Sequence, residues 1–494
     1  MDTIVPGSDA EHVLAAAVAA GRYPRLRHVA ELPHPKGVPV LGNAPQIVSL
    51  RFHATLEDWA RELGPLYRFD VMQRTAIVVS SPETIAELLR ERPAMLRRAS
   101  HTANIIEETV IPGLFTAEGE EWRKQRKLVM RALTPEVVQR FFPTLSAMTE
   151  RLHLRWRQAF EEARPVDVLR DLKAYTLDVT IALAMGQDLN TLEHEDNPLQ
   201  RDIEFLFGRI ARRITSPIAY WRLVKLAADR EAAAAQARIV HAIAGFIAAA
   251  RARMDANPAL RAKPDNMLEA MVAARDEPDS GFTDGAVIGN AITMVFAGED
   301  TTSNSIAWLI ELLTRHPNVA AELAAETRDA LAGAPVVRDV RLLERLPYLD
   351  AAIRESMRLK PVAPLLALEP LVDIALDDVL LPAGSMIFLL TRQAAERAGE
   401  LVQPERFQPA RWMAPGHAAA GSAADPARKS FPFGGGPRYC PGRYLALAEI
   451  KMAMTMLLRN FRLERVAGAP PVEELFTFTM TPSALPVLLH PRAN

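Results

Sequence analysis

The chain has one cysteine, Cys440, inside the run Phe433-Gly434-Gly435-Gly436-Pro437-Arg438-Tyr439-Cys440-Pro441-Gly442. Three successive glycines let a backbone take positive φ and pass close to a flat ligand that side chains would obstruct. A cysteine just ahead of a helix N-terminus meets free N–H groups and the positive end of the helix dipole, which favour the thiolate, the form that binds a metal. Such a sulfur suits the axial position of an iron. Without its context, a lone cysteine reads as readily as a buried small hydrophobe beside a glycine-rich turn. Phosphate-binding readings fail on spacing, since no Gly-Lys-Ser/Thr follows the glycines and Tyr439 stands where GxGxxG needs its third glycine. A second cluster, Ala297-Gly298-Glu299-Asp300-Thr301-Thr302, sets two adjacent acids beside two hydroxyls. Thr301 follows Ala297 by four residues, so on a helix its hydroxyl reaches the Ala297 carbonyl and locally opens the backbone. Taken alone, that segment is a helix kink with one satisfied buried acid. Trp122 with Arg126 and Glu355 with Arg358 each share a helix face, at i, i+4 and i, i+3. The first alone is a basic helix with an anchoring Trp, and the second is a pairing that Glu120 and Arg123 repeat by chance.

The scaffold holding these groups reads as mostly helical. Residues 33–42 are a turn-rich lead-in, and β-type runs follow at 66–71 and 76–80, the second leading into a helical pattern over 82–92. From 118 to about 253 nearly everything has a 3.6-residue period. Thr283 reads as an N-cap and His316-Pro317 as a stop, which predicts a helix of about 32 residues, roughly 48 Å long, that must cross the molecule. Within it, residues 285–310 carry only the charges Glu299 and Asp300. Two acids at mid-depth are costly in lipid, so a buried core helix is expected rather than a membrane span. Beyond it come two more helices, β-like segments at 361–374 and 379–390, and a Pro/Gly-rich meander over 404–436. A final helix begins near Gly442, and a small terminal sheet falls within 476–489. No internal repeat or low-complexity linker divides the chain.

With 494 residues, 49% hydrophobic and 24% charged, the composition is globular and excludes disorder. The length suffices to enclose a cavity without disulfide staples. The 58 basic and 60 acidic residues give no electrostatic case for nucleic acid or anionic membrane as the main partner. Residues 1–20 combine Asp2, Asp9 and Glu11 with a short apolar run, which reads as neither a signal peptide nor a membrane anchor. One cysteine fits a reducing compartment, and a cytoplasmic location is expected.

The cysteine segment resembles, at every specified position, the haem-ligand signature Phe-Gly-x-Gly-x-Arg-x-Cys-x-Gly of the cytochrome P-450 family, soluble bacterial type. The resemblance runs over almost the whole chain. It implies a mainly α fold with small β-sheets, a single large haem-enclosing domain over 33–494, and an N-terminal extension over 1–32. Cys440 would be the proximal thiolate of haem b, a ligand that favours O–O cleavage. Phe433, Gly434, Gly436 and Gly442 would shape the loop, with Phe433 near the sulfur. Arg438 would meet a haem propionate, as would Trp122 and Arg126, which match the family's Trp-x-x-x-Arg helix. A third basic partner is not evident in 363–370. Ala297 to Thr302 is similar to the family's oxygen-binding segment, where Gly298 would leave room above the cofactor. Asp300 and Thr301 would relay protons, with Glu299 the less favoured donor. Glu355 and Arg358 match the family's Glu-x-x-Arg pair, and Arg411 is assigned as its third member ahead of Arg406. That set would be structural.

By the same resemblance the cavity over the haem would be lined by Ile105, Ile106, residues 205–218, Phe296, Ala297, residues 362–366 with Val362 and Leu366 among them, and Met480. These are mostly apolar and favour a hydrophobic small-molecule substrate. Arg209, Arg212 and Arg213 are either the receptor for a substrate carboxylate or a solvated helix face. The haem domain takes nearly all the length, so electrons from NAD(P)H are expected through an external ferredoxin or flavodoxin with its reductase. Arg123, Lys124, Lys127, Arg131 and Arg443 would steer such an acidic partner. The expected activity is an O2-dependent monooxygenase that hydroxylates or epoxidises its substrate. A peroxide-driven peroxygenase, which needs no proton relay, and a haem-thiolate sensor or carrier without turnover are the alternatives.

Overall fold

A computed structural model describes residues 26–492, apart from 111, 195–196, 215, 217, 278–281, 332, 398–400 and 414–428. The opening twenty residues, read above as neither signal nor anchor, and much of the meander therefore lie outside the described residues. The fold is mainly helical with small β-sheets. Two compact units form, one from Met1–Asn104, Ala363–Glu405 and Ala418–Tyr439, the other from Ile105–Val362, Arg406–His417 and Cys440–Asn494. Each draws on three separate stretches of chain, which is why no linker marks a boundary.

The first unit is built on a five-stranded sheet in the order Leu66–Val71, Arg74–Val79, Met386–Leu390, Leu365–Pro370, Leu96–Arg98. The first two strands form an antiparallel hairpin, with Tyr67 opposite Val78, and Arg74–Val79 runs parallel to Met386–Leu390. The β-branched run Ile77-Val78-Val79 suits a strand covered on both faces. Ile77 and Val79 pack with Ile85, Leu89 and Leu389, while Val78 packs with Leu56, Tyr67 and Phe69. The helix predicted over 82–92 runs Pro82–Arg90, capped by Ser81 Oγ, which accepts from the Thr84 N–H at 3.2 Å. Its buried Leu89 is the surface on which the glycine loop rests.

The second unit holds the long helix. It runs Asp284–Arg315, 32 residues, and Thr283 Oγ1 accepts from the Ala286 N–H at 3.1 Å as the N-cap reading requires. Glu299 and Asp300 lie buried within it, at 0% and 5% exposure. The helix Val168–Met185 packs along it, and Gly298 is the point of closest approach, because a Cβ there would lie 2.3 Å from Thr180 Oγ1. The glycine therefore serves helix–helix packing. The helical stretch from 118 to 253 is divided among Gly119–Ala132, Pro135–Glu161, Val168–Met185, Pro198–Ile214 and Ala227–Ala256, with a short strand Val166–Asp167 between the second and third. That strand joins Phe461–Arg465 and Pro486–Pro491 in a small sheet, and Glu474–Phe476 pairs with Met480–Pro482. Among the described residues it is Ala227–Ala256, rather than the long helix, that is long and apolar enough to cross a membrane. Its Ile239, Ile243 and Ile247 are buried at four-residue spacing, the inward stripe of an amphipathic helix.

Candidate functional site

In the first unit, Gly434 and Gly436 take φ of +71° and +63°, which side-chain-bearing residues rarely adopt. A Cβ on Gly436 would sit 2.0 Å from the Leu89 carbonyl oxygen, and one on Gly435 would meet Leu89 Cδ1 at 3.2 Å. These two glycines thus bring the loop against the helix Pro82–Arg90. The loop then makes one tight turn, Gly436–Arg438, which carries the half-buried Arg438. Phe433 is half-buried as well.

In the second unit Cys440 stands two residues before Gly442, the N-cap of the helix Arg443–Asn460. Burial pushes the thiol up, while the Gly442 N–H that bonds the sulfur and the charges of Arg126 and Arg443 act the other way without overcoming it. The helix terminus therefore does not by itself produce a thiolate, because desolvation of the sulfur outweighs one N–H and two cations. A metal ion taking the place of the proton would complete the ionisation. Among the described residues no group of three or more His, Cys, Asp or Glu side chains could hold a metal ion on its own. A single soft sulfur donor flanked by cations fits a metal whose remaining ligands come from a macrocycle, as in haem. Trp122 is buried and Arg126 half-buried on the helix Gly119–Ala132.

The long helix orders the acid and hydroxyl groups. Thr301 Oγ1 donates to the Ala297 carbonyl at 2.7 Å, the bond its spacing predicts. Ala297 is exposed and Thr301 half-buried, whereas most of the neighbouring helix is covered. Asp300 is held from three directions: Thr479 Oγ1 donates to Oδ2 at 2.5 Å, Asn304 Nδ2 to Oδ1 at 3.2 Å, and Lys173 Nζ lies 3.8 Å from Oδ1. Sequence reasoning missed Thr479 and Lys173, which stand 179 and 127 positions from Asp300 and carry no local signal. Glu299 has no hydrogen bond to either carboxyl oxygen, and burial, reinforced by Asp300 and Glu204 against Lys173, pushes it up to about 8.

The structure brings Glu355, Arg358 and Arg411 together out of solvent. Arg358 donates through Nε and Nη2 at 2.9 Å each, Arg411 Nε donates at 2.8 Å, and Trp412 Nε1 completes the set at 2.9 Å. Arg406 contributes only its carbonyl, which accepts from Arg358 at 3.4 Å. Burial acts to raise the Glu355 carboxyl, but Arg358, Trp412 and Arg411 outweigh it and hold the group below its usual range.

Of the residues expected to line the cavity, Phe296 joins a chain of rings. Its centroid is 4.6 Å from Phe207, which is 5.3 Å from Phe478, which is 6.2 Å from Phe115. Ile105, Ile106 and Met480 are buried, and the Met480 backbone is bound to Val362 and Trp308. Met480 is thus core, and Phe478 two residues earlier takes its place among the rings. Val362 is half-buried, as is Leu366 in the first unit. Neither reading of the arginine cluster survives for Arg209 and Arg213. Both are buried, with Nη2 atoms 2.5 and 3.0 Å from Asp229, and they also donate to the Tyr220 hydroxyl and Thr109 Oγ1. Both are bonded inside the protein, tying four helical segments together, while Arg212 alone of the three is exposed.

The sequence model of the family described as Cytochrome P450 matches residues 32–489. Human 25-hydroxyvitamin D-1 alpha hydroxylase, mitochondrial, is 27% identical over 85% of this chain and 84% of its own length. Cytochrome P450 4ae1 of Drosophila melanogaster is 25% identical over 89% of each chain. The self-sufficient cytochrome P450 monooxygenase CYP505E1 of Aspergillus niger is 28% identical over 89% of this chain, which spans 39% of that protein.

Two outcomes test this geometry. Arg411→Ala removes one cation and one N–H donor from the buried Glu355 and is expected to lower stability by ~3–5 kcal/mol in denaturant unfolding, whereas a loss under about 1 kcal/mol would show the set to be dispensable. Cys440→Ala should abolish the red-shifted Soret band of the reduced carbonyl complex, and persistence of that band would remove Cys440 as the ligand.

Proposed function

The chain belongs to the cytochrome P450 family and is a P450 monooxygenase, and from that premise we propose that it hydroxylates or epoxidises a hydrophobic small molecule with electrons from an external partner. Haem, which Cys440 would hold through its thiolate, would supply the oxygen-activating chemistry. The observation carrying the proposal is the Thr301 hydroxyl bonded to the Ala297 carbonyl, one residue along the helix from Asp300. Thr301 Oγ1 keeps acceptor capacity for a water, and Asp300 next to it holds or yields a proton, which is the pairing that delivery of protons from solvent requires. A peroxygenase or a passive haem carrier has no use for it.

The apolar substrate class is supported by the rings of Phe115, Phe207, Phe296 and Phe478, which come from four separate segments. Arg209 and Arg213 are buried and both bonded to Asp229, so their guanidinium groups are engaged within the protein. For electron supply, Lys124 and Lys127 are exposed on the helix Gly119–Ala132, the helix that also carries Arg126, whose charge acts on Cys440. Arg443 is exposed against the Tyr444 ring, at 5.0 Å, and Arg123 is paired with Glu120. Of the basic cluster read from sequence, Arg123 is therefore partly neutralised, while Lys124, Lys127 and Arg443 support docking of an acidic ferredoxin or flavodoxin. The single cysteine supports a cytoplasmic setting.

With surrogate redox partners, NAD(P)H oxidation should accompany product formation. Thr301→Ala should keep oxygen consumption while raising peroxide and lowering product, and unchanged coupling would refute the relay. Reversing Lys124 and Lys127 to Glu should slow reduction at low salt and lose its effect at high salt; a rate unaffected by the reversal would dismiss this docking surface.

A further inference from the structure

One of the hydrogen bonds on Asp300 comes from a segment that the relay described above leaves unused. Phe296, Asp300, Asn304 and Trp308 follow one another at four-residue intervals and so share one face of the long helix. The terminal hairpin of Glu474–Phe476 and Met480–Pro482 is bonded along that face. Trp308 Nε1 donates to the Met480 carbonyl at 2.9 Å, Thr481 Oγ1 donates to Asn304 Oδ1 at 2.8 Å, and Thr479 Oγ1 donates to Asp300 Oδ2 at 2.5 Å. The Met480 N–H, bonded to the Val362 carbonyl at 2.8 Å, ties the same strand to a further segment. Met480 and Thr481 therefore seat the hairpin without help from Thr479, and what the buried Thr479 hydroxyl adds is a hold on the carboxyl. The partners of that carboxyl divide by oxygen. Oδ1 accepts from Asn304 Nδ2 at 3.2 Å and has the Lys173 ammonium 3.8 Å away, groups that only donate, so a proton on this oxygen is disfavoured. Oδ2 meets, among the described residues, the Thr479 hydroxyl, which is itself held by Asn304 Nδ2 at 3.0 Å, and a carboxyl oxygen with one such partner keeps a second lone pair for a proton. The turn that carries Thr479 is closed by the N–H and hydroxyl of Thr477, which both donate to the Thr479 carbonyl, at 2.9 and 3.1 Å. Its tip is Phe478, the ring 5.3 Å from Phe207 and 6.2 Å from Phe115.

We propose that Thr479 is a positioning residue for the monooxygenase reaction: its hydroxyl fixes the direction of Asp300 Oδ2, the oxygen that carries the relay proton. The inference rests on the reading of Asp300 and Thr301 as the proton path. Thr479 touches neither substrate nor cofactor in this role and acts through the carboxyl alone. A support of this kind works because it is locked by its own neighbours, here the closed turn and the anchors at Met480 and Thr481, before the acid is called on. Adjacent residues of one turn then serve two purposes, Phe478 in the ring cluster and Thr479 on the relay acid.

The test uses the haem-loaded enzyme with surrogate redox partners. Thr479→Val keeps the size of the side chain and removes the hydroxyl. Product formed per NAD(P)H oxidised should fall several-fold, with a matching rise in peroxide, while substrate affinity read from the spin-state change stays at the wild-type value because Phe478 is untouched. Thr479→Ser, which keeps the hydroxyl, should restore coupling. In denaturant unfolding of the same haem-loaded proteins, the stability lost through Thr479→Val should shrink in the Asp300→Asn background, where the bond has lost its carboxylate. Wild-type coupling in Thr479→Val overturns the proposal, as does uncoupling that Thr479→Ser shares, or a further loss of coupling when Thr479→Val is added to Asp300→Asn. Should Thr479→Val fail to take up haem, Thr481→Val frees the Asn304 amide from the hairpin side; partial uncoupling is expected of it, and full coupling overturns the proposal. If Asp300→Asn is uncoupled while Thr479→Val is not, this inference alone fails. If Asp300→Asn couples normally, the relay itself has failed and this inference with it.

Discussion

Two adjacent carboxyls midway along a buried 32-residue helix are the constraint from which much of the second unit follows. Burial of either charge is unfavourable unless the surroundings supply donors or keep the group neutral, and the two acids are handled in these opposite ways. Asp300 receives Thr479, Asn304 and Lys173, which draws the segment just before Met480–Pro482 onto the long helix. Glu299 receives no donor and is pushed up to about 8. One residue of helical rotation separates these environments, because 100° turns a side chain from one packed neighbour toward another.

The other charged cluster of this unit follows the first strategy throughout. Glu355 is fully buried yet held below its usual range, since four N–H groups from Arg358, Arg411 and Trp412 converge on it. Its sign with pH is fixed by that shift. The stabilisation is complete above the ordinary glutamate range and is lost as pH falls through the depressed value, the reverse of Glu299, which disfavours folding as pH rises. Arg209, Arg213 and Asp229 repeat the pattern between helices. Glu299, by contrast, has no hydrogen bond to either carboxyl oxygen.

Around Cys440 the balance runs differently. A helix terminus and two cations are insufficient to ionise a buried thiol, so the protein offers a sulfur whose anion depends on the metal it binds. The glycines ahead of it serve backbone conformation and contact with Leu89, a reminder that a conformational requirement and a ligand requirement leave the same residue in a sequence.

Local signals were legible without coordinates. The cap at Thr283, the stop at His316-Pro317, the hairpin over 66–79, the hydroxyl bond from Thr301 to Ala297 and the choice of Arg411 over Arg406 all depend on spacing along a helix or strand, or on a motif of contiguous residues. The family was also legible in ten contiguous positions around Cys440. Tertiary structure alone decided where the charges went. Thr479 on Asp300, Asp229 between two arginines and Phe478 in place of Met480 are contacts across long sequence distances or shifts of two residues in a strand register. Local periodicity says which face of an element is buried; the partner that the face meets is set by packing among elements remote in the chain, and electrostatic consequences follow the partner.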